Sequence, residues 1–216
     1  MAGHTLPDLP YAYEALEPHL DARTMENHHN RHHRAHVDRL NAALEPLDPS
    51  LQEMTVEELL RHIDQVPEDS RSAIRNHGGG HANHSQLWRI LAPGGEPPSG
   101  ALAEAIDATF GSFEAFRGRF GVVAANHFGS GWIWLISTRG KLVLYTLPNQ
   151  DSPLLVGERP VFGLDLWEHA YCGQYGWRQA EYLDSFWNVV NWEEAGRRFD
   201  AAVESSRPRC QQSQPA

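Results

Sequence analysis

The sequence predicts an α+β protein in which an N-terminal helical hairpin domain precedes a C-terminal α+β domain with a small antiparallel sheet. Residues 1–92 are an extended lead-in followed by segments of helical pattern. Residues 92–100, APGGEPPSG, are dense in proline and glycine and form a boundary. Short apolar runs then lie among helical segments. We therefore predict domains at 1–92 and 93–205, followed by a disordered, low-complexity tail at 206–216.

Each element follows from a local pattern. A helix from about Asp21 to Leu44 is predicted because no glycine or proline interrupts it. TVEELLRHIDQV and DSRSAIRNHGGGHANHSQLWRIL are the next helices, although the glycine run could equally form a tight turn. SFEAFRGRFGVVAANHF is helical in period, and GWIWLIS and KLVLYTL, separated by TRG, predict an antiparallel hairpin. PVFGLDL predicts a further strand, and EYLDSFWNVVNWEEAGRRFDAAV a closing helix.

Composition excludes several classes of function. The formal charge of −10, from 18 Lys and Arg against 28 Asp and Glu, argues against binding to nucleic acid or anionic membranes, although local arginines can still attract a small anion. No run approaches the roughly twenty apolar residues of a membrane span, and no signal-peptide pattern opens the chain. Cys172 and Cys210 are too few for a disulfide framework. We therefore expect a cytoplasmic protein.

The most unusual segment is MENHHNRHHRAHVDRL, residues 25–40, with five histidines. His28, His32 and His36 recur every four residues and share one helical face, while His29 and His33 form a neighbouring stripe. Helical histidines are commonly solvated surface or hydrogen-bonded core. The cluster therefore defines a site only if other segments supply partners.

Three later segments concentrate polar groups among aromatic residues. NHGGGHANHSQLW carries His77, His81 and His84; His81 and His84 are three residues apart and can share a helical face, or the histidines can cap a tight turn at Gly78 to Gly80. In DLWEHAY, Asp165 and His169 are four residues apart and converge if a strand ends near Asp165, but capping of the next helix explains Asp165 equally well. Gln150, in LPNQDSPLL, is by default a turn residue. Two histidines from the helical half, together with this Asp and His, form a nitrogen and oxygen donor set suited to Fe, Mn or Zn.

Taken in order and with their separations, MENHHNRHH, GGGHANHSQLW, FGSGWIWL, NQDSP, DLWEHAY and FWNVVNW resemble the iron/manganese superoxide dismutases. The resemblance extends from LPDLPYAYEALEPH to about Phe199. It implies an enzyme that converts superoxide and protons to O2 and hydrogen peroxide by redox cycling of one mononuclear metal ion per subunit.

The resemblance also implies roles for individual residues. The metal ligands would be His28, His84, Asp165 and His169, with solvent in a fifth position and with His29 and His81 excluded. The candidate catalytic residues are Gln150, His32, His36, Tyr171 and Trp132. Trp88 and Trp167 would form the cavity wall together with Trp132. Glu168 would reach across a homodimer interface to the partner subunit's His169, and such dimers can pair into tetramers.

The expected metal is manganese, with iron as the alternative. In the resemblance, glutamine at Gln150 combined with glycine at Gly80 marks the manganese type, whereas iron enzymes commonly place glutamine at the earlier position. Gln150 is expected to hydrogen-bond the solvent molecule in the fifth position. Because Mn and Fe both lie low in the divalent affinity order, availability also decides occupancy.

Three positions depart from the family pattern. His36 and Cys172 replace tyrosines, and Trp177 replaces an asparagine, although Arg178 keeps a cation near the expected entrance. An imidazole titrates near neutrality and a phenol near 10, so proton delivery through His36 would acquire a new pH dependence. The alternative is that His36 only fills space and that Cys172 is inert packing.

Other functions are compatible with parts of this pattern. A metal-binding homologue with weak dismutase activity is the main alternative, since ligands are retained while their surroundings change. A zinc hydrolase is disfavoured because no HExxH motif occurs and Glu168 is assigned to the interface. A histidine-rich metal store is disfavoured because the implied ligands lie in separate segments flanked by aromatic residues.

Overall fold

The computed structural model of the protein describes residues 3–206. It contains a helical hairpin followed by helices packed around a three-stranded antiparallel sheet, which confirms the predicted α+β class. The domain boundary near residue 92 stays a prediction. The predicted disordered tail lies outside the described residues, apart from Ser206.

Two long helices form the hairpin. Helix α1 comprises Ala22–Asn27, the π-helical His28–His33, and Arg34–Leu44. Asp21 caps it by accepting a hydrogen bond from the backbone N–H of Thr24 at 2.6 Å, so the predicted helix is confirmed. The connection carries two short helices, α2 at Pro49–Gln52 and α3 at Val56–Arg61.

The second long helix, α4, passes straight through the glycine run. It comprises Glu68–Ala73, the π-helical Ile74–Gly78, and Gly79–Ile90, so the alternative of a tight turn is wrong. The glycines instead allow neighbouring residues to approach the helix backbone closely. A Cβ on Gly79 would overlap the Gln150 carbonyl oxygen, and one on Gly80 would overlap the His36 ring. Both neighbours therefore pack directly against the helix backbone.

The sheet has the order β2-β1-β3, with β1 at Gly131–Thr138, β2 at Lys141–Pro148 and β3 at Pro160–Asp165. All three strands are those that the sequence predicts. Arg139 and Gly140 both adopt positive φ in the two-residue turn between β1 and β2, as hairpin turns that match strand twist require. The central strand β1 pairs Trp132 with Asp165 at the end of β3.

The remaining helices correct the sequence prediction in two places. Helix α5 at Gly100–Phe110 was not predicted, whereas α6 at Phe113–Ala125 was. The predicted closing helix is wrong as a single element, because it is divided into α8 at Gln179–Phe186 and α9 at Trp192–Ser205. A short helix, α7 at Cys172–Tyr175, precedes them.

The division between α8 and α9 has a clear physical cause. Asn191 caps α9 by accepting a hydrogen bond from the backbone N–H of Glu194 at 3.1 Å. Just before it, the β-branched Val190 is extended and forms an isolated antiparallel bridge with Leu91. This bridge ties the end of α4 to the start of α9.

Apolar side chains form two clusters. The smaller fills the far end of the hairpin and includes Leu40, Leu44, Leu59 and Ile74. The larger joins the base of the hairpin, through Met25 and Trp88, to the sheet and the C-terminal helices. The hairpin base is thus part of the main core, where polar side chains from both halves can meet. Within residues 3–206, no helix is both long and apolar enough to cross a bilayer.

Candidate metal centre

Four side chains from four different elements converge at the base of the hairpin. His28 lies in the π-helical part of α1 and His84 in α4, whereas Asp165 ends β3 and His169 lies in the 3-10 turn Glu168–Ala170. The Nε2 atoms of His28, His84 and His169 lie 3.1, 3.6 and 3.2 Å from Asp165 Oδ2. One donor atom from each of the four lies within 4.8 Å of the others. The structure therefore brings together all four residues that the resemblance implies as ligands.

The donor set fits a cation. His84 Nδ1 donates a hydrogen bond to the Gly80 carbonyl oxygen at 2.6 Å, which leaves the lone pair of Nε2 facing the other donors. The buried Nε2 atoms of His84 and His169 have no hydrogen-bond partner among the described residues. A buried acceptor without a donor is costly. Three imidazole nitrogens and one carboxylate oxygen form a typical site for Mn, Fe or Zn, and no thiolate contributes.

Burial controls the protonation of these groups. It lowers the pKa of His28 and lowers that of His84 well below its usual range, so both imidazoles are neutral ligands at physiological pH. Burial acts to raise the pKa of Asp165, but the close approach of His169 and His28 outweighs it and brings the pKa to about 2. Asp165 is therefore a carboxylate, which offsets part of the charge of a divalent or trivalent ion.

Two further hydrogen bonds hold Asp165 at atoms that do not face the histidines. Its Oδ1 accepts a hydrogen bond from the backbone N–H of Trp167 at 2.8 Å, and its carbonyl oxygen accepts one from the Tyr182 hydroxyl at 3.0 Å. The first bond is of the local capping type that the sequence left open, and it occurs here together with the convergence on the histidines. Such outer contacts orient a ligand and tune the metal that it holds.

Tryptophans enclose the centre on three sides. The Trp88 ring lies 5.0 Å from that of His28, the Trp132 ring 5.2 Å from His84, and the Trp167 ring 5.7 Å from His169. Trp88 and Trp132 are fully buried. The three rings thus come from both halves of the chain and lie around the donors, and their role as the wall of a cavity stays a prediction.

Gln150 is buried beside this wall. Its side-chain oxygen accepts a hydrogen bond from Trp132 Nε1 at 3.0 Å. Its carbonyl oxygen accepts one from Asn83 at 3.1 Å and abuts Gly79 in α4. With its oxygen engaged by the indole, the amide group of Gln150 is oriented and presents its N–H atoms as donors.

The other histidines of the column also reach the centre. The His32 ring stacks on the His169 ring at 4.0 Å, and the His36 ring lies 5.5 Å from that of His84. His36 Nδ1 is 3.4 Å from Nδ1 of His77, which is nearer the surface. Burial, followed by the influence of His77, lowers the pKa of His36 to about 4. The imidazole of His36 is therefore neutral near pH 7. It takes up a proton only well below the neutral range in which the sequence predicts that it titrates.

Residues beyond the tryptophan wall occupy the surface or the core. The Tyr171 ring stacks on Tyr182 at 5.3 Å, so it supports the residue that holds Asp165. Glu168 is exposed. Cys172 is exposed as well, which does not support its interpretation as buried packing, and desolvation and then the nearby Glu168 raise the pKa of its thiol. Trp177 is 88% exposed. Arg178 pairs with Glu181 at 2.9 Å.

Sequence reasoning missed one buried residue, His33. Its Nε2 lies 2.8 Å from His81 Nδ1, its Nδ1 accepts a hydrogen bond from Trp88 at 2.8 Å, and its ring stacks on His84 at 5.4 Å. His29 is directed elsewhere, towards the Pro7 carbonyl oxygen at 2.8 Å. The four-residue spacing of His29 and His33 carried no signal that His33 would support both a ligand and the wall.

A helical hairpin joined to an α+β domain, with three imidazoles and a carboxylate enclosed where they meet, defines a protein with a mononuclear metal centre built from both domains. Comparison with known families identifies the particular one. Residues 3–92 match the alpha-hairpin domain, and residues 98–198 the C-terminal domain, of the iron/manganese superoxide dismutases. The chain belongs to this family.

Individual relatives agree. The chain is 54% identical over 200 residues to a protein of Listeria innocua named superoxide dismutase [Mn], covering 92% of this chain and 98% of the relative. It is 52% identical to proteins of the same name from Pseudomonas putida, over 93% of this chain and 98% of the relative, and from Thermus thermophilus, over 91% and 97%. The resemblance stated from the motifs is therefore confirmed.

Proposed function

We propose that this chain is a superoxide dismutase that uses one manganese ion per subunit, with iron as the alternative metal. The ion would be held by His28, His84, Asp165 and His169. The observation that carries the proposal is the convergence of three buried imidazole Nε2 atoms on one carboxylate oxygen. The relatives named superoxide dismutase [Mn] support both the activity and the metal.

When bound, manganese or iron supplies a one-electron couple, so one superoxide can be oxidised to O2 and a second reduced to hydrogen peroxide with two protons. The protein's own residues prepare the site for this. Asp165 stays ionised while His28 and His84 stay neutral, so these ligands would offset only one charge of a divalent or trivalent ion, and the loaded centre would attract an anion. The tryptophan wall excludes bulk water and strengthens that attraction.

Gln150 is the residue that we propose to position a proton. Its oxygen is held by Trp132, so its amide N–H can donate towards solvent at the centre without competing for another acceptor. The closeness of His36 to Gly80 is consistent with the manganese pattern, because a larger residue at Gly80 would overlap the His36 ring.

The remaining catalytic candidates line two routes. His32 stacks on His169 and is partly exposed, so we assign it to the substrate route. His36 and His77 are adjacent and lead from His84 towards the surface, which supports a relay role for His36. We keep Tyr171 as a residue that acts through Tyr182 on Asp165.

We also propose a homodimer, which can pair into a tetramer, with Glu168 reaching the partner subunit's His169. The exposure of Glu168 beside a ligand in the described chain supports this. Light scattering of the wild type and Glu168→Ala tests it, since loss of the contact should weaken the dimer. The cytoplasm is the proposed location, and cell fractionation tests that.

The decisive experiment is to measure dismutation by the purified protein while quantifying Mn, Fe and Zn in the same sample. Turnover proportional to Mn supports the proposal, and turnover that tracks iron alone contradicts the choice of metal. A fully metallated but slow protein would favour the alternative, a metal-binding homologue whose altered residues His36 and Cys172 limit activity. Zinc content without a colour change on reduction would favour a hydrolytic site.

A further inference from the structure

An arginine-rich cleft lies away from the metal centre, between the hairpin and the last helix. It has a volume of about 210 Å³ and is formed by α3, α4, the segment before β3, and α9. Five arginines line it: Arg61, Arg89, Arg159, Arg197 and Arg198. One acidic residue, Glu57, lines it with them. This is a local concentration of positive charge on a chain whose formal charge is −10.

The arginines are only partly neutralised. Glu194 pairs with Arg197 at 2.7 Å and with Arg198 at 3.4 Å. Within the described part of the chain, no carboxylate lies within ion-pair distance of the other three arginines of the cleft. Counting Glu57 and Glu194 against the five arginines leaves three positive charges. Because nearby charges dominate under physiological screening, the cleft attracts anions despite the acidic whole.

One arginine donor is buried without an acceptor. Arg198 is largely buried, and its Nε has no hydrogen-bond partner within residues 3–206. Burial lowers the pKa of Arg198 from its usual value, but a guanidinium remains charged in proteins. A buried, charged N–H without an acceptor is costly, so the cleft has an unused donor as well as excess charge.

We propose that this cleft binds a small oligophosphate, either free or as the phosphate chain of a nucleotide. Guanidinium groups match phosphate oxygens in bidentate geometry, and arginine is the preferred residue for such recognition. With a volume of about 210 Å³, the cleft has room for a ligand much larger than one water molecule, such as a short phosphate chain. The proposal does not depend on the dismutase function.

The position of the cleft gives binding a structural consequence. Arg61 and Arg89 belong to the hairpin, whereas Arg159 and Arg198 belong to the C-terminal half. A ligand that contacts both groups ties the two halves together and stabilises the folded state by mass action. Thermal stability should therefore rise with ligand concentration.

Calorimetric titration of the metal-loaded protein with inorganic pyrophosphate tests the proposal. We expect one saturable site per chain. The affinity for pyrophosphate should fall at least tenfold in the double variant Arg89→Gln/Arg159→Gln. Both arginines are exposed, so the variant should fold, which near-UV circular dichroism checks. Arg159→Gln alone is the second variant, with a smaller loss. Arg119→Gln, an exposed arginine on α6, is the matched control and should bind as the wild type does.

The possible results separate the explanations. Binding that survives in the double variant would overturn the proposal. Pyrophosphate that binds the metal ion instead of the cleft would give this same result, because the double variant keeps the metal. An equal loss in Arg119→Gln would overturn it in favour of diffuse charge attraction. Citrate that binds as tightly as pyrophosphate would overturn the assignment to phosphate groups. ADP that competes with pyrophosphate supports the proposal and identifies a nucleotide as a source, whereas binding of pyrophosphate alone supports a free oligophosphate.

Discussion

The contact between Gly80 and His36 predicts that Gly80→Ala destabilises the protein when the His36 ring is present and stabilises it when the ring is removed. In Gly80→Ala, the new Cβ would lie 2.6 Å from Cε1 of His36 and closer still to Cγ and Nδ1, so the ring must move by about 1 Å to reach ordinary contact. Such overpacking costs about 1–3 kcal/mol. Alanine is favoured over glycine in a helix by about 1 kcal/mol. The net change should be a loss of about 1 kcal/mol in the free energy of unfolding.

Removing the ring should reverse the result. In a His36→Ala background, the three nearest atoms to the new Cβ are removed, so the helix term should dominate and Gly80→Ala should stabilise by about 1 kcal/mol. Gly118→Ala is the control, because Gly118 lies within α6 and a Cβ added there would have no neighbouring atom within 4 Å, so it should stabilise both backgrounds by the same amount. Urea denaturation at equal metal content measures every variant in both backgrounds. The reasoning is refuted if Gly80→Ala stabilises the wild type as much as Gly118→Ala does.

Three further predictions concern the metal, pH and a helix cap. His84→Gln should lose most of the bound metal and activity, and manganese should raise the melting temperature of the wild type but not of this variant, as calorimetry can show. Burial lowers the pKa of His81 to about 4, so the unfolded chain binds the extra proton and stability falls below pH 6.5. The advantage of the wild type over His81→Gln should shrink by about 1–2 kcal/mol between pH 7 and 5, and parallel curves would contradict this. Thr55→Ala removes the capping box with Glu58 and should cost about 1 kcal/mol in urea denaturation.

Strong local patterns made much of the fold predictable. The Asp21 cap and an uninterrupted helical segment defined α1, and β-branched and aromatic runs around Arg139 and Gly140 defined the hairpin. Helix α5 escaped prediction because its apolar pattern rests on few large residues, chiefly Leu102 and Ile106. The Asn191 cap, with Glu194 three residues later, was a signal for the start of α9 that the surrounding apolar pattern hid.

The site was predictable only through order and spacing of its motifs. Residue types gave a donor set, but the four-residue spacing of His28 and His32 could not distinguish a ligand from a residue that stacks on another ligand. The role of His33 depends on contacts with His81 and Trp88 across two helices, which no local pattern specifies. The arginine cleft likewise unites residues from distant segments.

The convergence on Asp165 has a consequence for how the protein matures. His28 and Asp165 are 137 positions apart in the chain, and closing a loop of that length costs about 4 kcal/mol of entropy. A growing chain therefore has no complete chelate until its last strand has docked on the hairpin. Any discrimination between ions would therefore act only after the four donors have been assembled by the finished fold.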